Sequence, residues 1–155
     1  MNVDVAKRVD AVHASVPIVG AVLLADEITK LGAPYFHSSL ISPVFNTDYN
    51  LGILGGPAIT LAAGSLLVLM VFVRLVAPRV IRLGVSPAIP ALIVAGTLGN
   101  VFDRLRFGAV RDWLVTPWAT INLADLAVLA GLVLLIGSVA IHLHELHQGS
   151  RRLLR

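Results

Sequence analysis

Residues Ile121 to Ile141 read I-N-L-A-D-L-A-V-L-A-G-L-V-L-L-I-G-S-V-A-I: one acid, Asp125, near the start, then no charge from Leu126 to Ile141. A helix crossing the hydrocarbon core of a membrane takes roughly 20 apolar residues. This stretch therefore reads as a spanning helix, with Asp125 in its first turn. The rest of the chain repeats the pattern. It has 155 residues, 57% hydrophobic and 14% charged, with a mean hydropathy of +0.87. Soluble domains carry about 25% charged residues. The apolar residues also fall in long blocks rather than in short alternating or amphipathic stripes. The chain reads as an all-α integral membrane protein, a single membrane domain over residues 1–155.

Working back from Asp125, residues 87–105 form a third span, 55–77 a second and 11–31 a first, with 121–142 the fourth. Leu51 to Val73 carries no charge, and Pro57 suits the first turn of a helix. The basic, then apolar, start also describes a secretory signal peptide. Asp26 and Lys30 continue at helical spacing, so an uncleaved first span is expected. Between the first two spans, S-P at Ser42 and N-T-D-Y-N from Asn46 to Asn50 are turn chemistry. A small loop or β element on the extracytoplasmic surface is expected there, and a polar turn around Gly108 and Asp112 between spans three and four. Basic residues beside spans favour the cytoplasm. Lys7, Arg8, Arg74, Arg79, Arg82, Arg151, Arg152 and Arg155 would share that side, placing both termini inside. Arg104, Arg106 and Arg111 oppose the rule and need a local reason. The net charge of +3 thus points to lipid head groups and topology, not to nucleic acid.

Gly99 to Asp125 gathers Asp103, Arg104, Arg106, Arg111, Asp112 and Asp125 into an otherwise oily chain. Ionised groups beside hydrocarbon are costly and normally face a partner, a cavity or a reaction. Asn100 and Asp103 are three apart, as are Asn122 and Asp125, so each pair shares a helix face. One pair ends the third span and the other begins the fourth, at one membrane depth. Two nearby carboxylates tend to share a proton, which supplies a base for water and an acid for a leaving group. The alternative is that the acids only pair with Arg104, Arg106 and Arg111. The chain has no cysteine, which excludes thiolate chemistry and disulfides. H-E-L-H at His144 lacks the spacing of the zinc motif H-E-x-x-H, so no metal site is expected. His13 reads as a helix contact, and Trp113 and Trp118 as interface anchors.

The blocks G-N-V-F-D-R-L-R-F-G-A-V-R-D-W and I-N-L-A-D-L-A-V, with D-E-I-T-K at Asp26 to Lys30 and N-L-G at Asn50 to Gly52, resemble the bacterial lipoprotein signal peptidases (signal peptidase II). Their order and spacing match over about residues 20–140. The resemblance implies an intramembrane aspartyl endopeptidase of the bacterial cytoplasmic (inner) membrane. It would cut signal peptides from prolipoproteins before a diacylglyceryl-modified cysteine, at the extracytoplasmic face. Matched residue by residue, Asp112 and Asp125 would be catalytic. Asp26, Lys30, Asn50, Gly52, Asn100, Asp103, Arg104 and Asn122 would shape the site and bind substrate. No cofactor is implied; the partners are the prolipoprotein substrates and membrane lipids, and a monomer suffices. The chain departs from the family at Gly55, where an aromatic is usual, at T-P-W-A-T-I-N before Asn122, and at Leu126, where a serine is common. Two rival readings are a catalytically silent relative that binds lipoproteins and a small proton-coupled transporter.

Overall fold

The computed structural model describes residues 3–36, 38–47 and 57–153, with side chains for 9–148 of these. Five α-helices and three short strands follow in the order α1 (Val3–Gly32), β1 (Ile41–Asn46), α2 (Ala58–Val71), α3 (Ala77–Arg82), α4 (Ala88–Phe107), β2 (Val110–Val115), β3 (Thr120–Ile121) and α5 (Leu123–Leu153). A π-helical segment, Phe72–Val76, joins α2 to α3. The two form one continuous span, so the described helices long and apolar enough to cross a membrane are four: Val9–Tyr35, Ala58–Arg82, Ala88–Phe107 and Leu123–Gln148. The expected spans agree in number and order. The fourth helix runs past residue 142 because H-L-H-E-L-H-Q contains no breaker, and His144 bonds Gln148 one turn on at 2.8 Å.

The π segment has a local cause. Pro78 lacks an N–H for the helical ladder, so the preceding turn widens. Arginine side chains then cap neighbouring carbonyls: Arg79 Nη1 donates to Leu75 O and Arg82 Nε to Pro78 O at 3.1 Å.

α4 is the central helix. Its apolar window is 44% buried inside the bundle, against 6 to 17% for the other spans, and it packs on α5, α1 and α2. Small residues allow the close approach to α5. A Cβ built on Gly96 would lie 2.2 Å from the Ala124 carbonyl oxygen, and one on Gly131 would lie 2.6 Å from Ile93 Cγ1. The outer faces keep large apolar side chains exposed, such as Leu67, Val68, Leu129, Val133 and Ile136, as a lipid solvent allows.

The surface element is larger than the expected one. Its first strand, β1, does lie between the first two spans. It pairs antiparallel with β2, which comes from the connection before α5, and β2 pairs antiparallel with β3. The polar turn expected around Gly108 and Asp112 is a turn at Gly108 alone, and Asp112 lies in a strand: Val44 stands opposite Asp112 and Asn46 opposite Val110, with a register shift between Ile41 and Val44. Alternation explains why it forms, since Val110 and Asp112 turn inward and are buried while Arg111 and Trp113 are less so. Gly108, in the left-handed region at φ 72°, ends α4 and frees the chain to turn into β2. Trp118 lies at the exposed β2–β3 tip, 87% accessible, as an interface anchor would. Trp113 differs, since its indole Nε1 is enclosed without a hydrogen-bond partner. His13 is exposed on α1.

Candidate active site

Asn122 is the residue before α5, and Asp125 is the third residue of that helix. The Asn122 side-chain oxygen accepts from the Asp125 N–H at 2.9 Å, and an Asp125 carboxylate oxygen accepts from the Asn122 N–H at 3.1 Å. This reciprocal pair is a capping box, so the N-x-x-D spacing starts a helix and locks both side chains together. Asp26 adds a further cap from α1: its Oδ1 accepts the Ala124 N–H at 2.9 Å. At the start of α5 the N–H groups of Asn122 and Ala124 thus meet carboxylates, which a helix N-terminus favours, and that of Asp125 meets an amide oxygen.

From that start a network of amides spreads to the other acid. Asn122 Nδ2 donates to Asp112 Oδ1 at 2.6 Å and to Asn100 Oδ1 at 3.1 Å. Asn100 Nδ2 donates to Asp125 Oδ1 at 2.7 Å. Asn46 Nδ2, from β1, donates to the second oxygen of Asp112 at 2.9 Å. The Asn46–Asp112 bond follows from strand register, because the two residues are diagonal neighbours on one face. Two asparagines therefore bridge Asp112 on the sheet to Asp125 on the bundle. Asn122 is fully buried and Asp112 is 3% exposed, whereas Asp125 and Asn100 keep partial access.

Burial pushes the Asp112 carboxyl up from 3.8 to about 6. The Asn46 bond opposes this, the charge of Asp125 adds to it, and the Asn122 bond and the Lys30 charge oppose it. Asp112 therefore takes up and releases a proton near neutral pH, as an acid–base group must.

Behind the amides lies a layer of ion pairs. Lys30 Nζ contacts Asp26 Oδ2 at 2.6 Å and Asp103 Oδ2 at 3.0 Å, and it reaches Asn100 Oδ1 at 3.5 Å. An ammonium has three protons, and here each has an acceptor. Asp103, 1% exposed, also accepts the Arg111 backbone N–H at 3.0 Å and the Arg111 guanidinium from Nε and Nη2. Arg111 continues to Glu27 at 2.6 Å. These bonds hold the Arg111 charge and raise its pKa, although burial works the other way. Arg104 Nη1 donates to the Asn100 carbonyl at 3.3 Å, one turn back on α4.

The structure thus brings together Asp112, Asp125, Asn100 and Asn122, and sets Asp26, Lys30, Asp103 and Arg104 directly behind them. Asn50 and Gly52 lie outside the described residues, as does Gly55. The alternative of simple arginine pairing holds for Asp103 alone. Among the described residues, Asp112 and Asp125 form no ion pair. Two residues were not singled out from the sequence. Asn46 sits in what reads as turn chemistry, and its role depends on a strand pairing between distant connections. Glu27 is an ordinary charge until the fold joins it to Arg111.

Comparison with known proteins adds identity to this geometry. The family model described as signal peptidase (SPase) II matches residues 18–141. A lipoprotein signal peptidase of Moorella thermoacetica is 50% identical over 46 residues, 29% of this chain and 31% of that protein. One from Syntrophus aciditrophicus is 33% identical over 140 residues, covering 76% of this chain and 86% of its own. A solved bacterial membrane enzyme superposes with a TM-score of 0.66 at 23% identity, over 81% of this chain and 91% of its own. The last shares the fold. With the sequence matches spanning α1 to α5, the chain belongs to the signal peptidase II family.

Proposed function

We propose that this chain is an aspartic endopeptidase that removes the signal peptide from prolipoproteins, cutting before a diacylglyceryl-modified cysteine, with Asp112 and Asp125 as the catalytic pair. The observation that carries the reading is the bridging of these two acids by Asn122 and Asn100. The ionised acid of the pair takes a proton from water as its oxygen attacks the scissile carbonyl. The other acid, protonated, donates to the carbonyl oxygen to give the gem-diol. Collapse of that intermediate breaks the C–N bond, and the amine leaves with a proton returned from the pair. The raised Asp112 carboxyl is suited to hold the shared proton at rest.

The bridging amides have a second use. They are neutral donors, so they orient both carboxylates without fixing either as an anion, as a cation would. Asn50 and Gly52, with Asn100 and Arg104, are proposed to meet the substrate backbone. Asp26, Lys30 and Asp103 position α4, α5 and the sheet against one another. No metal or cofactor enters the steps. The basic residues Arg74, Arg79 and Arg82 support the sheet and acids lying toward the extracytoplasmic face, with both termini in the cytoplasm. A single copy contains every proposed group.

The test is cleavage of a purified diacylglyceryl-modified prolipoprotein by the full chain, beside Asp112→Asn and Asp125→Asn. Asp112→Asn should keep the wild-type melting profile to within a few degrees, or exceed it. Asp125→Asn should fold but melt lower, because both Asp125 carboxylate oxygens accept N–H bonds. Each should lose about 10³-fold or more of turnover. Wild-type cleavage in either variant removes that residue from the mechanism. Binding without cleavage by the wild-type chain would instead identify a silent relative.

A further inference from the structure

Helices α1, α2 and α4 enclose a groove of about 590 Å³ whose lining includes neither Asp112 nor Asp125. Its walls are Leu23, Leu66, Leu98, Val101, Phe102 and Leu105, and Arg106 stands at its end. From Leu98 to Arg106 the groove follows α4 for roughly 12 Å at 1.5 Å per residue. Phe102 and Leu105 are more than half exposed along it.

Arg106 is the arginine of its group that the protein leaves to its surroundings. Arg104 bonds a backbone carbonyl and Arg111 pairs with Asp103 and Glu27. Arg106 forms no ion pair among the described residues. Its guanidinium instead lies over the Phe102 ring at 5.9 Å and the Phe107 ring at 5.1 Å. Glu27 and Asp26 also line the groove, but their carboxylates are engaged by Arg111 and by Lys30, each at 2.6 Å. A flat cation held between aromatic faces at the end of a span, above an apolar trough, matches a phosphodiester with an attached acyl chain.

We propose that this groove binds one glycerophospholipid of the surrounding leaflet, its phosphate on Arg106 and an acyl chain along Leu98, Phe102 and Leu66. The lipid seals α1 to α2, which make little direct contact with each other. The proposed catalytic pair is not part of this site, so its occupancy is tested without any cleavage assay.

The experiment is native mass spectrometry of the delipidated full chain with dioleoylphosphatidylglycerol or with dioleoylglycerol, which lacks the phosphate. Wild type should retain one phospholipid and bind dioleoylglycerol about tenfold more weakly, the value of one charge-assisted contact. Arg106→Gln should lose about tenfold in phospholipid affinity and leave melting of the lipid-free protein unchanged. Leu98→Trp, which fills the groove, should lose the adduct altogether, while Arg82→Gln at the far end of the second span should bind like wild type. Equal phospholipid binding by wild type and Arg106→Gln, or equal binding of dioleoylglycerol, would overturn the proposal. Equal losses in Arg106→Gln and Arg82→Gln would overturn it too, because diffuse positive charge would then explain the binding.

Discussion

Replacing Asp112 by Asn should change how stability depends on pH, by an amount the structure sets. In the folded chain the Asp112 carboxyl lies at about 6, against 3.8 when unperturbed, and burial is the main cause. The native state therefore holds this proton more tightly than the unfolded chain does. The sign follows: below 3.8 both states are protonated and Asp112 costs nothing. As pH rises to about 6 the unfolded state ionises first and native stability falls. A difference of about 2 pH units corresponds to about 3 kcal/mol, developed between pH 3.8 and just above 6.

Asp112→Asn removes that titration. The new amide also turns one N–H toward Asn46 Nδ2 or Asn122 Nδ2, both of which donate to Asp112 in the wild type. The resulting donor–donor conflict costs about 1–3 kcal/mol, but it is the same at every pH. It moves the intercept and not the slope. Reversible unfolding in mixed detergent micelles at pH 4, 5, 6 and 7 separates the two. The variant should gain about 2 kcal/mol on wild type between the ends of that series. Parallel profiles would refute the reasoning, since they would mean that Asp112 ionises in the fold as it does in water.

Lys30→Met should cost about 3–5 kcal/mol, seen as a large fall in unfolding midpoint, because Asp26 and Asp103 remain buried with their shared cation gone. Asn46→Ala removes a donor to the ionised form of Asp112. The Asp112-dependent limb of the kcat/KM pH profile should move up by about one unit, with little loss at its plateau; an unmoved limb would show that this bond has no influence on the acid. Gly96→Ala places a methyl 2.2 Å from the Ala124 carbonyl oxygen, within one residue of Asp125. Thermal unfolding should register about 1–3 kcal/mol of overpacking, with a larger proportional fall in turnover than in stability.

Much of this was legible in the residues themselves. Charge-free runs such as Leu126 to Ile141 admit one structure in a membrane, so the number and order of the spans followed directly. Asp26 and Lys30 were legible as a pair because helical spacing is local. The N-x-x-D spacing drew attention to the right residues, although its structural meaning at Asn122 is a capping box and not merely a shared face. What could not be read is what depends on pairing between distant segments. V-R-D-W-L-V is short and carries charge, and only its partnership with I-S-P-V-F-N makes it a strand. Asn46 reaches Asp112 through that partnership alone. Likewise, the family resemblance picks out Arg104, but nothing in the sequence separates Arg106 from Arg111; their fates diverge only once the helix end is built.

The strand pairing has a consequence for how the two acids keep their spacing. Asp125 is bolted to the helical bundle by its own helix start, while Asp112 rides on a ribbon stitched from two separate loops. Their gap is thus a seam between two supports, with Asn122 and Asn100 as the stitches across it. In the proposed reaction, a substrate helix that wedges against the ribbon would alter that seam while the spans stay packed, so the bundle and the spacing of the two acids would be governed by different parts of the chain.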